Sequence, residues 1–246
     1  TLSMIGTTLS DAASYCLEFQ GGIEIDLQNL DTSSCNDGTI WAQAIDLNID
    51  GFEASNIITL NQVSGHLNDV SASMMIVDNN DGLELSNLEI SGTIAGENNR
   101  DISISSAIAS NIILESSAGS FSGLEINCGG SGIGFNSSQG RASSGILISD
   151  SKIENCTQAV GLMSTGETAQ IVFDSVILES LVALTSDGYD VSFTGGQING
   201  SLAITAAIAN LYDVEPTSYN VVSGEIWMWT SHVLDIRMES ITTEAN

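Results

Sequence analysis

The chain has 246 residues and carries 31 Asp and Glu against 4 Lys and Arg, a formal net charge of −27. Binding to phosphate backbones or anionic lipid surfaces needs clustered cations. With only Arg100, Arg141, Lys152 and Arg237 present, nucleic acid and anionic membranes are excluded as partners. An apolar share of 42% is enough for a packed core, so the acidity belongs to a folded surface rather than a disordered tail.

In chain order, the first residue is Thr1 rather than Met, as expected of a processed secreted protein or of a segment of a longer one. Residues 1–44 read as an N-terminal cap with a first irregular coil. In TTLSDAASYCLEF, Ser10 is placed to cap a short helix that plugs an open end of the fold. Cys16 and Cys35 fall in this segment, where a disulfide would close a short loop and constrain the unfolded chain. Cys128 and Cys156 fall among inward positions further on, where buried free thiols are the first expectation and a bridge between the two is the alternative. There is no CxxC spacing, and His66 and His232 are isolated, so a zinc site is not expected. The longest apolar run, SLAITAAIANLY, is about 12 residues, well short of a membrane span, so no membrane insertion is expected.

From residue 45 the chain repeats. GLELSN, RDISISS, GLEINCG, GILISDS, QIVFDS, DVSFTGG and NLYDV share two alternating apolar residues followed by small polar ones. Their first apolar positions are Leu83, Ile102, Leu124, Ile146, Ile171, Val191 and Leu211, a period of about twenty residues, suited to one coil of a β-solenoid. Alternation places pairs such as Leu83 and Leu85, or Ile171 and Phe173, on one face of short strands. Turn formers such as Ser86 and Asn87, or Ser105 and Ser106, follow each pair. Further apolar positions (Leu88, Ile108, Ile153, Val176 and Ile198, then Ile94, Ile113, Val160, Leu184 and Ile204) make three strands per coil. Helical spacing and strong helix formers are lacking, and the one proline, Pro216, follows the last clear repeat. Neighbouring coils about 4.8 Å apart would give roughly eight coils in about 40 Å.

These units, above all GILISDSKIENCTQAVGLM, resemble the right-handed parallel β-helix superfamily of pectate lyases, polygalacturonases, tailspikes and surface adhesins. The resemblance implies an all-β, right-handed parallel β-helix over residues 45–214, with short caps at 1–44 and 215–246. It is specific for architecture and nearly silent on activity. The C-terminal segment holds Trp227 and Trp229 in alternation and reads as a cap or subunit-contact segment.

Several residues are candidates for chemistry. Asp46, Asn48, Asp50 and Gly51 match the opening of a calcium loop, D-x-[DN]-x-[DN]-G, although Ile57 stands where the bidentate Glu belongs. Asp78 and Asp81, with Asn79 and Asn80 between them, form a second acidic turn before Gly82. Calcium is the one cofactor expected. Hydrolysis would need two carboxylates at a fixed separation, and Asp150 and Asp174, with Glu154 nearby, are the weak candidates; Glu84 and Glu125 read as another outward pair. The polygalacturonase resemblance fails at its motifs, since Gly65 and His66 are followed by Leu67 and no Arg-x-Lys occurs. Glu84, Ser103, Glu125, Leu147, Val172 and Ser192 are too irregular for an ice-binding array. Sequons stand at Asn136, Asn155 and Asn199. Asn136 and Asn199 are the glycosylation candidates, and Asn155 is expected to be buried in its repeat.

The combined expectation is an extracellular or cell-surface structural or adhesive protein. Its acidic faces would bind cations, and its partners would be like copies, other surface proteins or glycans. The alternative is a polysaccharide hydrolase or lyase.

Overall fold

A computed structural model describes residues 2–5, 8–10, 15–22, 24–34, 38–54, 56–137, 145–164, 169–187, 189–205, 208–212, 215–221, 225–229 and 236–238, with backbone pairing alone from residue 201 onward. The described elements are all strands, paired in parallel, and form a β-solenoid of about eight turns. The chain divides into two compact units, residues 1–120 and 121–246.

In the first unit each coil contributes three sides. On the first side, Leu27, Ile49, Leu67, Leu85 and Ile104 stack in register. On the second, Leu30, Phe52, Val70, Leu88 and Ala107 do so. On the third, Leu17, Ile40, Ile58, Met75, Ile94 and Ile112 form the column. All of these residues are buried. Because parallel coils repeat about every 4.8 Å, each column is a continuous file of aliphatic contacts, and burial of each side chain stabilises the fold by roughly 1.5–3 kcal/mol.

The corners between sides are set by the backbone. Asn29, Gly51, Asp69, Asn87 and Ser106 have φ between 50° and 71° and lie at one corner. Gly21, Ala44, Gln62, Asn79, Asn98 and Ser116 lie at another, each between 47° and 81°. Left-handed φ strains most L-residues but is tolerated by Gly, Asn and Asp. The Ser-Asn and Ser-Ser pairs that punctuate the repeats are therefore corner residues, in accord with their reading as turn formers. Each corner residue also resets the in-out alternation, so Ser106 turns Ala107 and Ala109 inward and leaves Ile108 51% exposed. Ile113 likewise faces outward while Ile112 and Leu114 are buried. Ile108 and Ile113 thus mark the second and third strands as expected but lie on their outer faces: parity counted from the corner outweighs side-chain size.

Next to the second corner the core is polar. Asn80 and Asn99 are almost wholly buried, and Ser117 fully so. Asn80 Oδ1 accepts from the Val63 amide at 2.7 Å, and Asn80 Nδ2 donates to Leu60 O at 3.3 Å and to Asn99 Oδ1 at 3.0 Å. Asn99 Oδ1 also accepts from the Asn80 amide at 3.1 Å. Asn99 Nδ2 donates to Val77 O at 2.7 Å, and Ser117 Oγ accepts from the Asn99 amide at 3.1 Å. Every donor that the tight corner removes from the ladder thus regains a partner one coil away, which is the condition for burying it.

The second unit uses the same devices. Ile148, Phe173, Phe193 and Leu211 are in register on one side, and the Phe173 and Phe193 rings stack at 4.5 Å. Ile126, Ile153, Leu178 and Ile198 are in register on the next. Gly123, Asp150, Ser175 and Gly195 hold the intervening corner with positive φ. Leu124 therefore belongs to a different position from Ile146: Lys152 N donates to Leu124 O and Ile177 N to Ser151 O, placing Ser151 as the coil-to-coil equivalent of Leu124. Leu211 aligns with Phe193 rather than Val191. A two-residue apolar motif recurs on more than one side of each coil, so its recurrence alone does not identify the side.

Coil pairing also starts earlier and ends later than the expected limits of 45 and 214. Leu2–Ile5 pairs with residues 25–28, and those with residues 47–50. Ser10 ends the strand Thr8–Ser10, which pairs in parallel with residues 31–34; the positions just after it, where the expected short helix would begin, lie outside the described residues. Glu225–Trp229 pairs with Ile208–Tyr212, and Ile236–Met238 with residues 219–221.

Cys128 and Cys156 form a disulfide with Cα atoms 4.8 Å apart and a sequence separation of 28, which corrects the expectation of free thiols. The inward position that suggested burial also brings the two residues together. Cys35 lies outside the described residues, so the expected Cys16 bridge is not described.

Two predictions follow from these contacts. Asn99→Ala, which removes the acceptor of two Asn80 donors and two donors of its own, should lower the unfolding free energy by about 3 kcal/mol in urea titration. Cys128→Ser with Cys156→Ser should cost about 3.5 kcal/mol through the unfolded chain, visible as a lower thermal midpoint than that of the oxidised protein.

Candidate functional site

No described cavity is enclosed by the solenoid; what the coils present are outward faces. The alternation that files aliphatic side chains inside also files polar ones outside, in the same register. Asp26, Asn48, His66, Glu84 and Ser103 make one outward row of the first unit. Beside it run Gln28, Asp50, Asn68, Ser86 and Ser105. In the second row Asn68 Nδ2 donates to Asp50 Oδ1 at 2.8 Å, and Asn68 Oδ1 accepts from Asn87 Nδ2 at 2.8 Å and Ser86 Oγ at 3.0 Å.

This placement sets the geometry of the calcium-loop candidates. Asp46, Asn48 and Asp50 are alternate outward residues of the strand Asp46–Ala54, all on the stretch before its corner at Gly51. The four-residue rise from Asp46 to Asp50 is about 13 Å, too long for the two to share one ion as in a wrapped loop. In the second acidic turn, Asn80 points inward to the buried ladder. Asp81 stands exposed at 3.9 Å from Arg100, and the half-buried Asp78 accepts a 3.0 Å bond from the Glu97 amide. Burial pushes the Asp78 carboxyl above its ordinary value, with that backbone bond acting in the opposite direction. Among the described residues no group of three or more His, Cys, Asp or Glu side chains is placed to hold a metal ion.

The hydrolase candidates are brought close but not into equivalence. Asp174 is in register with Ser149, whereas Asp150 sits on the following corner and its amide donates to Asp174 O at 3.0 Å. Ser175 Oγ donates to Asp174 Oδ1 at 3.1 Å. Glu154 lies on the next side, 2.5 Å from Lys152 Nζ. The hydrogen bond to Glu154, reinforced by the charges of Glu154, Glu179 and Glu125, holds the exposed ammonium above the usual lysine value. Glu84 and Glu125 belong to separate units; Glu84 is in register with Ser103 and Glu125 with Lys152.

Two features were missed in the sequence. One is a shallow groove of about 420 Å³ in the first unit, with Glu53, Asp69 and Glu89 in its lining. Glu53 and Glu89 flank Ser71 in one outward row, a relation signalled by their shared position after the inward Phe52 and Leu88. The other is the stacking of like charge. Glu24 is in register with Asp46, Asp78 with Glu97, Glu97 with Glu115, and Glu154 with Glu179. Directly adjacent like charges in a sheet are destabilising, by a few tenths to about 1 kcal/mol each.

Asn136 and Asn199 are both exposed on strands. Asn155 is exposed as well, which corrects its expected burial: it is the corner residue, with φ 58°, between outward Glu154 and inward Cys156. Among the described residues no helix is long and apolar enough to cross a membrane.

No protein-family model, curated protein or solved structure matches the chain. The class that the coordinates define is a parallel β-solenoid with acidic outer rows.

Asp78→Asn keeps the acceptor for the Glu97 amide and removes the charge. Stability linked to protonation of Asp78 is fully present below the ordinary carboxylate value near 4 and is lost as pH rises through the raised folded value. The substitution should therefore raise the thermal midpoint at pH 7, by at most about 1 kcal/mol in stability, and the gain should vanish in a titration taken below about pH 4.

Proposed function

We propose that the protein is an extracellular or cell-surface structural or adhesive element, built as a right-handed β-helix of the pectin-lyase-like type. On this reading its acidic rows bind cations and its faces meet like copies, other surface proteins or glycans. The observation that carries the cation reading is the register of like charges. Carboxylates such as Glu24 and Asp46, Asp78, Glu97 and Glu115, and Glu154 and Glu179 stand in register on adjacent coils in a chain of net charge −27, and such rows are eased by screening or bridging cations. The Cys128–Cys156 disulfide supports an oxidising, exported location. Calcium in this reading bridges outward carboxylates of neighbouring coils and is not wrapped by one loop.

The test is thermal unfolding in rising NaCl and, separately, in millimolar calcium at matched ionic strength. The midpoint should climb between about 0.1 and 1 M salt as the screening length falls from about 10 to 3 Å. Calcium should add a further rise that excess chelator reverses. A midpoint indifferent to both sinks the cation reading, and a response to ionic strength alone reduces it to screening. Adhesion is checked with a glycan array and with imaging of the purified native material; turnover of any polysaccharide would reverse the assignment in favour of a hydrolase or lyase.

A further inference from the structure

The sequon Asn155-Cys156-Thr157 straddles the disulfide, and all three of its residues are described. Asn155 and Thr157 face outward and are exposed, while Cys156 between them is only 5% exposed and bonded to Cys128. Asn155 also marks a bulge: the pairing with the next coil jumps from Glu154 to Cys156. Asn155 is thus an unpaired, exposed corner residue, so a substituent on its amide can extend into solvent.

In the bridged fold both reactive groups of the sequon are engaged with the preceding coil. Asn155 Nδ2 donates to Asn127 Oδ1 at 3.3 Å, and Thr157 Oγ1 to Gly129 O at 3.4 Å. The Thr157 amide donates to Gly130 O at 2.9 Å. Cys128 lies within the same stretch, 127–130, so closing the disulfide clamps the sequon against its hydrogen-bond partners. An enzyme that must draw the amide and the hydroxyl into its own site meets them free only before that closure.

The geometry points to Asn155 as an N-glycosylation site whose occupancy is set by competition with closure of Cys128–Cys156; this rests on the export reading above. Glycan transfer forms a bond from Asn155 Nδ2 to the anomeric carbon of a lipid-diphosphate-linked oligosaccharide. The anomeric C–O bond breaks, the diphosphate leaves with the electron pair, and Nδ2 gives up one proton to a base of the transferase. Bridging removes a hydrogen from each thiol, and the two electrons reduce the disulfide of a thiol oxidoreductase. Once made, the glycan stands on an exposed corner, consistent with a surface-facing edge of the second unit.

The full chain is secreted from a host that performs export-linked N-glycosylation, and Asn155 occupancy is mapped by peptide mass spectrometry with a free-thiol count on the same sample. Wild type should show a closed bridge and partial occupancy. Cys128→Ser should gain occupancy, as should wild type secreted into dithiothreitol, which needs no substitution; Thr157→Ala should lose it. A bare Asn155 in every sample with oxidised thiols overturns the proposal and leaves the export reading standing. Equal occupancy with and without the bridge overturns the competition. Free thiols at Cys128 and Cys156 in protein from the native source overturn the export reading and the proposal with it.

Discussion

Parallel register between successive coils is the constraint from which the remaining features descend. Backbone amides are satisfied by carbonyls of the neighbouring coils, with side-chain oxygens taking over at positions such as Val63, Asn80 and Asn99, so every coil must return to the same lateral position after one circuit. The spacing from Leu27 to Ile49 is 22 residues, and those from Ile49 to Leu67 and from Leu67 to Leu85 are 18. Return at such different lengths is possible because connections absorb the extra residues while the corners stay fixed. Corner geometry demands left-handed φ, and the chain meets it with Asn29, Asp69, Asn87 and their equivalents. The Asn and Ser content is therefore a consequence of the winding rather than a mark of loops.

The same register has opposite effects on the two sides of each strand. Inside, stacking like on like is favourable, because aliphatic side chains bury one another and Asn80, Asn99 and Ser117 exchange hydrogen bonds along one file. Outside, stacking like on like sets Asp78, Glu97 and Glu115 at consecutive levels of one row. The polar file at Asn80, Asn99 and Ser117 is tolerated inside because its donors are paired. The exterior carries a repulsion that depends on the surrounding ions.

This asymmetry bears on function. A solenoid offers long rows in which residues far apart in sequence are held at one spacing. It also separates residues that look adjacent in sequence. Asp46 and Asp50 stand too far apart along one strand to close on a single ion, whereas Glu154 and Glu179, 25 residues apart in sequence, are neighbours. Proximity on this fold is thus organised across coils rather than along one strand.

The period, the strand character and the inward files were legible in the sequence. Alternation of Ile, Leu and Val with small polar residues admits few other structures at this spacing, and the residues after each apolar pair are the ones that tolerate a corner. The family type and handedness came from resemblance and stand as part of the proposal. Which side of a coil a given motif occupies was not legible, as Leu124 and Ile146 show, because two-residue patterns are shared among sides and only hydrogen-bonded register tells them apart. Nor were the inward turn of Ala107 past Ile108, the buried role of Asn80 within an apparently acidic turn, or the meeting of Cys128 with Cys156. The sequence by itself determined that the chain winds and what kind of side chain fills it. Tertiary structure alone decided which residues become neighbours across coils, since that depends on how many residues each circuit spends between its corners, a length set by closure of the whole turn.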